Sequence, residues 1–160
     1  MKKILAVAAF LMTVNLHAQQ NAIGLRAGES SGITFKHYTG LNAYEFIISA
    51  WPNDLTITGL YERYKPLGAD PGFSFYYGAG AHVAFNTYRR VYYYDDYRNR
   101  WWYHQRSGFG IGINGIVGFE YAFREIPLAL SLDIKPFVEY NTDGHMYWSP
   151  DPGLGIKIKF

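Results

Sequence analysis

The densest concentration of potential binding chemistry runs from Tyr88 to Arg106: Tyr-Arg-Arg-Val-Tyr-Tyr-Tyr-Asp-Asp-Tyr-Arg-Asn-Arg-Trp-Trp-Tyr-His-Gln-Arg. Tyrosine, tryptophan and arginine dominate binding hot spots, because each joins a large rigid surface to a hydrogen-bonding tip. Arginine also grips phosphate or carboxylate through two parallel N–H bonds. In a long outer loop, 86–107, the candidate binding residues are therefore Arg89, Arg90, Tyr93, Arg98, Trp101, Trp102 and Arg106. They suit an anionic head group, a glycan or a protein. The same run also reads as two strands prolonged into a hairpin whose rings pack on one another. Asp95 and Asp96 could share a cation or stand solvated.

Two short motifs carry less. Gly110-Ile111-Gly112-Ile113-Asn114-Gly115 has the GxGxxG spacing. A dinucleotide site needs a helix to follow, and here period-two alternation runs straight through. Gly28-Glu29-Ser30-Ser31-Gly32 has the GxSxG spacing, but it joins two strands and reads as a turn. His82, His104 and His145 are the candidates for lipid-modifying chemistry, and no spacing ties any of them to a nucleophile. His82 is expected inside, bonded to a carboxylate such as Glu62 or Glu120, and His37 at an interface. No enzyme activity, cofactor or metal is expected.

The second constellation is a set of charges placed at alternate positions. Arg26, Lys36, Glu45, Glu62, Glu120, Asp133, Lys135, Glu139, Lys157 and Lys159 all fall opposite apolar residues. Among them Arg26, Glu62, Glu120, Asp133, Lys135 and Lys157 are the principal lumen candidates. If these face the interior of a small barrel they must pair, because an unpaired buried charge is costly. A plug of salt bridges and a gated ion path are the two readings.

The elements that would position these groups are strands. Leu154, Ile156, Ile158 and Phe160 alternate with Gly155, Lys157 and Lys159, a strict period of two. Seven earlier segments repeat the pattern, clearest at Phe73–Phe85 and Phe109–Arg124. Ile47 breaks it by joining the polar set of the third strand. Turn residues at Glu29–Ser31, Tyr38–Gly40, Pro52–Asp54, Pro66–Gly72 and Glu125–Pro127 separate them, with a further loop at Asn141–Pro152. An exposed last strand would be a pairing hazard, so it is expected to close a barrel against the first. The predicted fold is all-β, an eight-stranded antiparallel up-and-down transmembrane barrel.

Met1–Ala18 has a Lys2-Lys3 head, an apolar run and a small residue at Ala18, the pattern of a signal peptide. The expected division is 1–18 leader and 19–160 barrel. Removing the leader takes two lysines and no acid, leaving 13 basic residues against 13 acids. The mature net charge is zero, which argues against nucleic acid. No cysteine is present, which excludes disulfides and a lipid-anchored cysteine. Aromatic content of 19% suits rings held at a membrane–water boundary, including Tyr38, Trp51, Tyr64, Tyr140 and Trp148 at strand ends.

With its leader, its alternating strands and its ending Gly-Leu-Gly-Ile-Lys-Ile-Lys-Phe, the chain from about Asn21 to Phe160 resembles small outer-membrane barrels of the OmpA/OmpX type, from the outer-membrane β-barrel domain group of Gram-negative bacteria. The resemblance implies residence in the outer membrane after cleavage near Ala18. It implies a monomer in contact with lipid and lipopolysaccharide, and Phe160 as the signal read by the barrel-assembly machinery. It implies a structural or surface-interaction role, with a narrow channel or a lipid-modifying enzyme as alternatives. Both ends and the turns near Gly40, Pro66–Gly72 and Glu125–Pro127 would be periplasmic.

Overall fold

A computed structural model describes residues 20–160 except 52–53, 69–71, 96–99, 143 and 145, with side chains described for all of these but 51, 54, 86–95 and 100–107. The expected leader, 1–18, lies outside the described residues. The strands are β1 (Asn21–Gly28), β2 (Gly32–Thr39), β3 (Asn42–Trp51), β4 (Asp54–Pro66), β5 (Phe73–Asp95), β6 (Arg100–Ala122), β7 (Leu128–Ile134), β8 (Phe137–Asn141), β9 (Met146–Ser149) and β10 (Pro152–Lys159). Each pairs antiparallel with its neighbours, and β10 pairs with β1 to close the circle. The seam runs from Ala22 opposite Lys159 to Gly28 opposite Gly153. Reciprocal bonds between Asn21 and Phe160, of 3.0 and 2.8 Å, finish it.

Ten segments make eight staves. β7 and β8 both lie along β6, and β9 and β10 together form the last stave. The interruptions coincide for a local reason. Pro136 has no N–H to give a ladder, so the seventh stave breaks there. The last ladder-like bond before the break is Lys135 N–H to the Asp151 carbonyl, 3.0 Å. Asp151, between Pro150 and Pro152, takes a positive φ of 38° and turns the chain from β9 into β10. Aspartate is among the few residues that tolerate that region.

The barrel is inside out relative to a water-soluble one. Ile113 is 69% exposed and Leu154 62%, while Lys36 and Glu62 are completely buried. The apolar alternates of the strands form an outward belt that includes Leu25, Ile33, Phe46, Ile57, Ile111, Leu132 and Ile156. Aromatic rings gather toward the two ends of it. Phe73, Phe75 and Phe119 meet at 5.5–5.7 Å near the end that carries the termini, and Phe85 meets Phe109 at 5.5 Å toward the other. Each apolar side chain left in water forgoes roughly 1.5–3 kcal/mol. No helix among the described residues is long and apolar enough to cross a membrane, which is silent about strands.

Of the two readings of 86–107, the prolonged hairpin is the one found: β5 and β6 stay paired from Arg89–Arg106 to Asp95–Arg100, with a register shift between Asn86 and Arg89. Three expectations are corrected. The segment 141–152 is mostly strand, since β9 folds back on β8. Tyr38 and Tyr64 point inward rather than to a lipid boundary, because they continue the inner alternation of Thr34 and Lys36 and of Leu60 and Glu62. Lys159 is only half-buried at the rim, over the Tyr38 ring at 4.6 Å, because the last strand leaves the barrel there. Ile47 and Leu60 do lie inside, packed with Ala43 and Ile116.

Glycines on the inner face make room for long side chains. A Cβ on Gly153 would sit 2.5 Å from the Arg26 Cζ, so only glycine lets that guanidinium lie flat on β10. Gly153→Val is expected to destabilise the barrel by about 3 kcal/mol, combining overpacking with displacement of a buried charge. Urea unfolding in detergent micelles, followed by tryptophan fluorescence, measures it; an unchanged midpoint would contradict this packing.

Candidate functional site

Arg26, Glu62, Glu120, Asp133, Lys135 and Lys157 are all buried in the interior, where the structure sorts them into two clusters. Nearer the termini, Lys36 from β2 meets Glu62 at 2.7 Å, Glu45 at 3.1 Å and Glu120 at 3.7 Å. Lys157 from β10 meets Glu45 at 3.4 Å and Glu120 at 3.9 Å, and donates to Ser131 at 3.1 Å. Thr34 hydrogen-bonds Glu45. Tyr38 donates to Glu120 at 2.9 Å, and Tyr64 accepts from Lys36 at 2.8 Å. The Tyr64 and Tyr76 rings stack at 5.2 Å, and the Lys36 ammonium sits 4.7 Å from the centre of the Tyr76 ring. These side chains fill the cross-section at that level, as expected for an eight-stranded barrel.

The second cluster is centred on a residue that the alternation did not reveal. Asp151 is fully buried and binds both neighbouring cations: Arg26 at 3.1 Å and Lys135 at 2.9 Å. Its carbonyl also accepts from Arg26 at 2.9 Å, and its carboxylate accepts from the Ser30 N–H at 3.1 Å and from the Ser30 hydroxyl. Arg26 reaches Asp133 at 2.7 Å, and Tyr76 donates to the other Asp133 oxygen at 3.1 Å. Ser30, read as a turn residue, thus anchors the β1–β2 turn to the last stave.

Above these lies a polar pocket at the end opposite the termini. His82 from β5 is inside, as expected, but its partners are Asn114 at 2.7 Å and Glu139 at 3.1 Å rather than Glu62 or Glu120. The register explains it. His82 and Glu139 both lie opposite Gly112, and only a glycine lets the two side chains meet across it. Phe137 meets the imidazole edge-on at 5.3 Å. At the rim, Tyr147 donates to Glu29 at 2.8 Å, and Ser149 hydrogen-bonds the same carboxylate. The cavity is small, about 80 Å³, and open at its mouth.

The hairpin residues are placed by backbone alone. Arg89 pairs with Arg106, Tyr93 with Trp102, and Arg90 and Trp101 lie in the same two strands. Their side chains, with those of Asp95 and His104, lie outside the described residues, as do Arg98, Asp96 and His145 altogether, and the side chain of Trp51. Phe160 is exposed at the seam, its backbone paired with Asn21. Among the described residues no group of three or more His, Cys, Asp or Glu could hold a metal.

Asp151→Ala is expected to cost about 3–5 kcal/mol, because it takes from the buried Lys135 its carboxylate and from Arg26 one of its two. Glu120→Gln keeps its shape and one acceptor oxygen and leaves Lys36 with Glu45 and Glu62 and Lys157 with Glu45, so it is expected to cost less. Unfolding midpoints in the same micelles rank the two; equal losses would contradict the central place of Asp151. No family model and no curated protein matches this chain.

Proposed function

We propose that the protein is a small outer-membrane barrel of the OmpA/OmpX type that holds a surface-interaction hairpin above the lipid. The observation that carries this reading is the inverted distribution of polarity: Ile113 and Leu154 outside, Lys36 and Glu62 buried. A lipid environment turns the outward belt from a liability into the source of stability. The leader pattern of Met1–Ala18 fits export with cleavage near Ala18, and the aromatic Phe160 fits recognition by the barrel-assembly machinery. The reciprocal Asn21–Phe160 bonds leave no open sheet edge at the seam, which fits a monomer.

In this reading the end with the termini is periplasmic and the β5–β6 hairpin projects outward. Its arginines and aromatic residues then stand beside lipopolysaccharide phosphates, surface glycans or a protein ligand. The filled layer of Lys36, Tyr64, Tyr76 and Glu62 favours a closed structural lumen over a conducting one.

Expressed in a Gram-negative host, the protein is expected in the outer-membrane fraction as a band that shifts in SDS gels only after boiling. Recovery from the periplasm as a soluble, unshifted species would reject the placement. Replacing Arg89, Arg90, Arg98 and Arg106 together by serine is expected to weaken binding to purified lipopolysaccharide roughly thirtyfold, at about 0.5 kcal/mol for each guanidinium. Unchanged binding would remove the hairpin from that contact.

A further inference from the structure

The outward belt of the barrel carries almost no charge. Among the described side chains of the ten strands, Arg63 and Lys65 are the only Arg, Lys, Asp or Glu residues on the outer face. Both are exposed, at the end of β4 nearer the termini. Along that face of β4 the residues run Leu55, Ile57, Gly59, Tyr61, then Arg63 and Lys65, from aliphatic through aromatic to cationic. Asn42 of β3 and Tyr77 of β5 flank Arg63, and Phe75 flanks Lys65. The Tyr44 and Tyr61 rings meet at 5.3 Å one step nearer the middle of the barrel. The Lys65 ammonium sits 5.8 Å from the centre of the Tyr77 ring.

Inside the barrel each buried lysine and arginine meets a carboxylate. Outside, Arg63 and Lys65 make no ion pair among the described residues. Two like charges at alternate positions of one strand stand about 7 Å apart at the backbone and repel. A counter-charge for both must therefore come from outside the chain. Their place restricts its chemistry. The two cations border an apolar belt, so the anion must be presented at the edge of hydrocarbon. Exposed phenols of Tyr44, Tyr61 and Tyr77 frame the same spot, and such rings settle where hydrocarbon meets water. Their hydroxyls can donate to an anion. A phosphate diester has two free oxygens, enough to accept from a guanidinium and an ammonium together. A phosphate that carries acyl chains also covers the belt beside it.

We infer that Arg63 and Lys65, framed by Tyr44, Tyr61 and Tyr77, bind the phosphate of a glycerophospholipid in the leaflet nearer the termini. The acyl chains then lie along the aliphatic part of the belt, on the side of Ile57. The inference rests on the membrane placement proposed above. Fractionation and the boiling shift read that placement, whereas lipid titration reads this site. A barrel found in the outer membrane whose Arg63 ignores the lipid would sink the site and leave the placement standing.

The test uses the barrel folded in uncharged maltoside micelles and titrated with phosphatidylglycerol, with inorganic phosphate as control. The lipid is expected to shift the Arg63 Nε–H resonance and the Tyr77 ring resonances. Arg63→Gln combined with Lys65→Gln should raise the mole fraction of lipid at half-saturation, read from Tyr77, about twenty-five-fold. That is about fivefold for each basic residue at an anionic surface. Arg124→Gln, at an exposed cation of the β6–β7 turn, should leave it unchanged. Without lipid the unfolding midpoint should not fall, since neither cation has an ion-pair partner among the described residues. Either single variant supplies the comparison should the double variant not fold. Folded protein whose Arg63 and Tyr77 resonances ignore phosphatidylglycerol overturns the inference. An equal response to inorganic phosphate would mark a loose counter-ion site and overturns it too. So does lipid affinity that Arg124→Gln abolishes and the double variant leaves intact.

Discussion

A barrel that turns its apolar side chains outward must settle every charge it keeps inside. Four cations, Arg26, Lys36, Lys135 and Lys157, share this interior with six carboxylates, Glu45, Glu62, Glu120, Asp133, Glu139 and Asp151. None of the cations could be buried alone, since desolvating an isolated ion costs several kcal/mol even after relaxation. Arg26, Lys36 and Lys157 are therefore each held from more than one stave, and Lys135 is held by Asp151. Arg26 of β1 is held by Asp133 of β7 and by Asp151 beside β10, and Lys36 of β2 by Glu45 of β3, Glu62 of β4 and Glu120 of β6. The ion pairs thus span the lumen between strands far apart in sequence. They select one register for the whole barrel, because a one-residue slip of any strand would move its charges to the outer face.

Much of this was legible in the chain. Strict alternation named the two faces, and with them the buried charges, because a strand has only two sides. The closing pair of β1 and β10 followed from an apolar last strand that needed a partner. Ile47 gave a true signal by breaking the pattern of its own strand: it belongs to the inner cluster with Leu60 and Ile116. What alternation could not show were features outside a repeating strand. Asp151 lies between two prolines, at a positive φ, where no period assigns a face. The proline pair was itself a signal that the chain is locked there, and Asp is the residue that such a position tolerates. The β5–β6 hairpin stood as one of two readings for another reason. Its tyrosines, tryptophans and arginines suit an exposed loop as well as a strand, so composition did not separate the two.

The interior divides along the barrel axis by polarity and purpose. Near the termini, tyrosines and a five-residue ionic cluster close the lumen. In the middle, Asp151 ties the first turn, the first strand and the last two staves together. Toward the opposite end the packing gives way to a pocket in which the Ser49 and Thr58 hydroxyls make no hydrogen bond within the protein. Stability is thus concentrated where the chain closes, and chemistry that could serve a ligand lies toward the mouth and hairpin. This division is typical of scaffolds in which a rigid barrel positions variable loops.

The central claim is that the outward belt meets hydrocarbon. Because the chain has no cysteine, single introduced cysteines at Ile113, Leu154 and Glu125 can each carry one environment-sensitive fluorophore. In reconstituted vesicles the account requires the labels at Ile113 and Leu154 to be quenched by lipid-borne nitroxide and shielded from aqueous iodide. The label at the Glu125 turn should behave in the opposite way. Iodide quenching at Ile113 as strong as at Glu125, with no effect of the lipid quencher, would mean that the apolar face meets water and that the account is wrong.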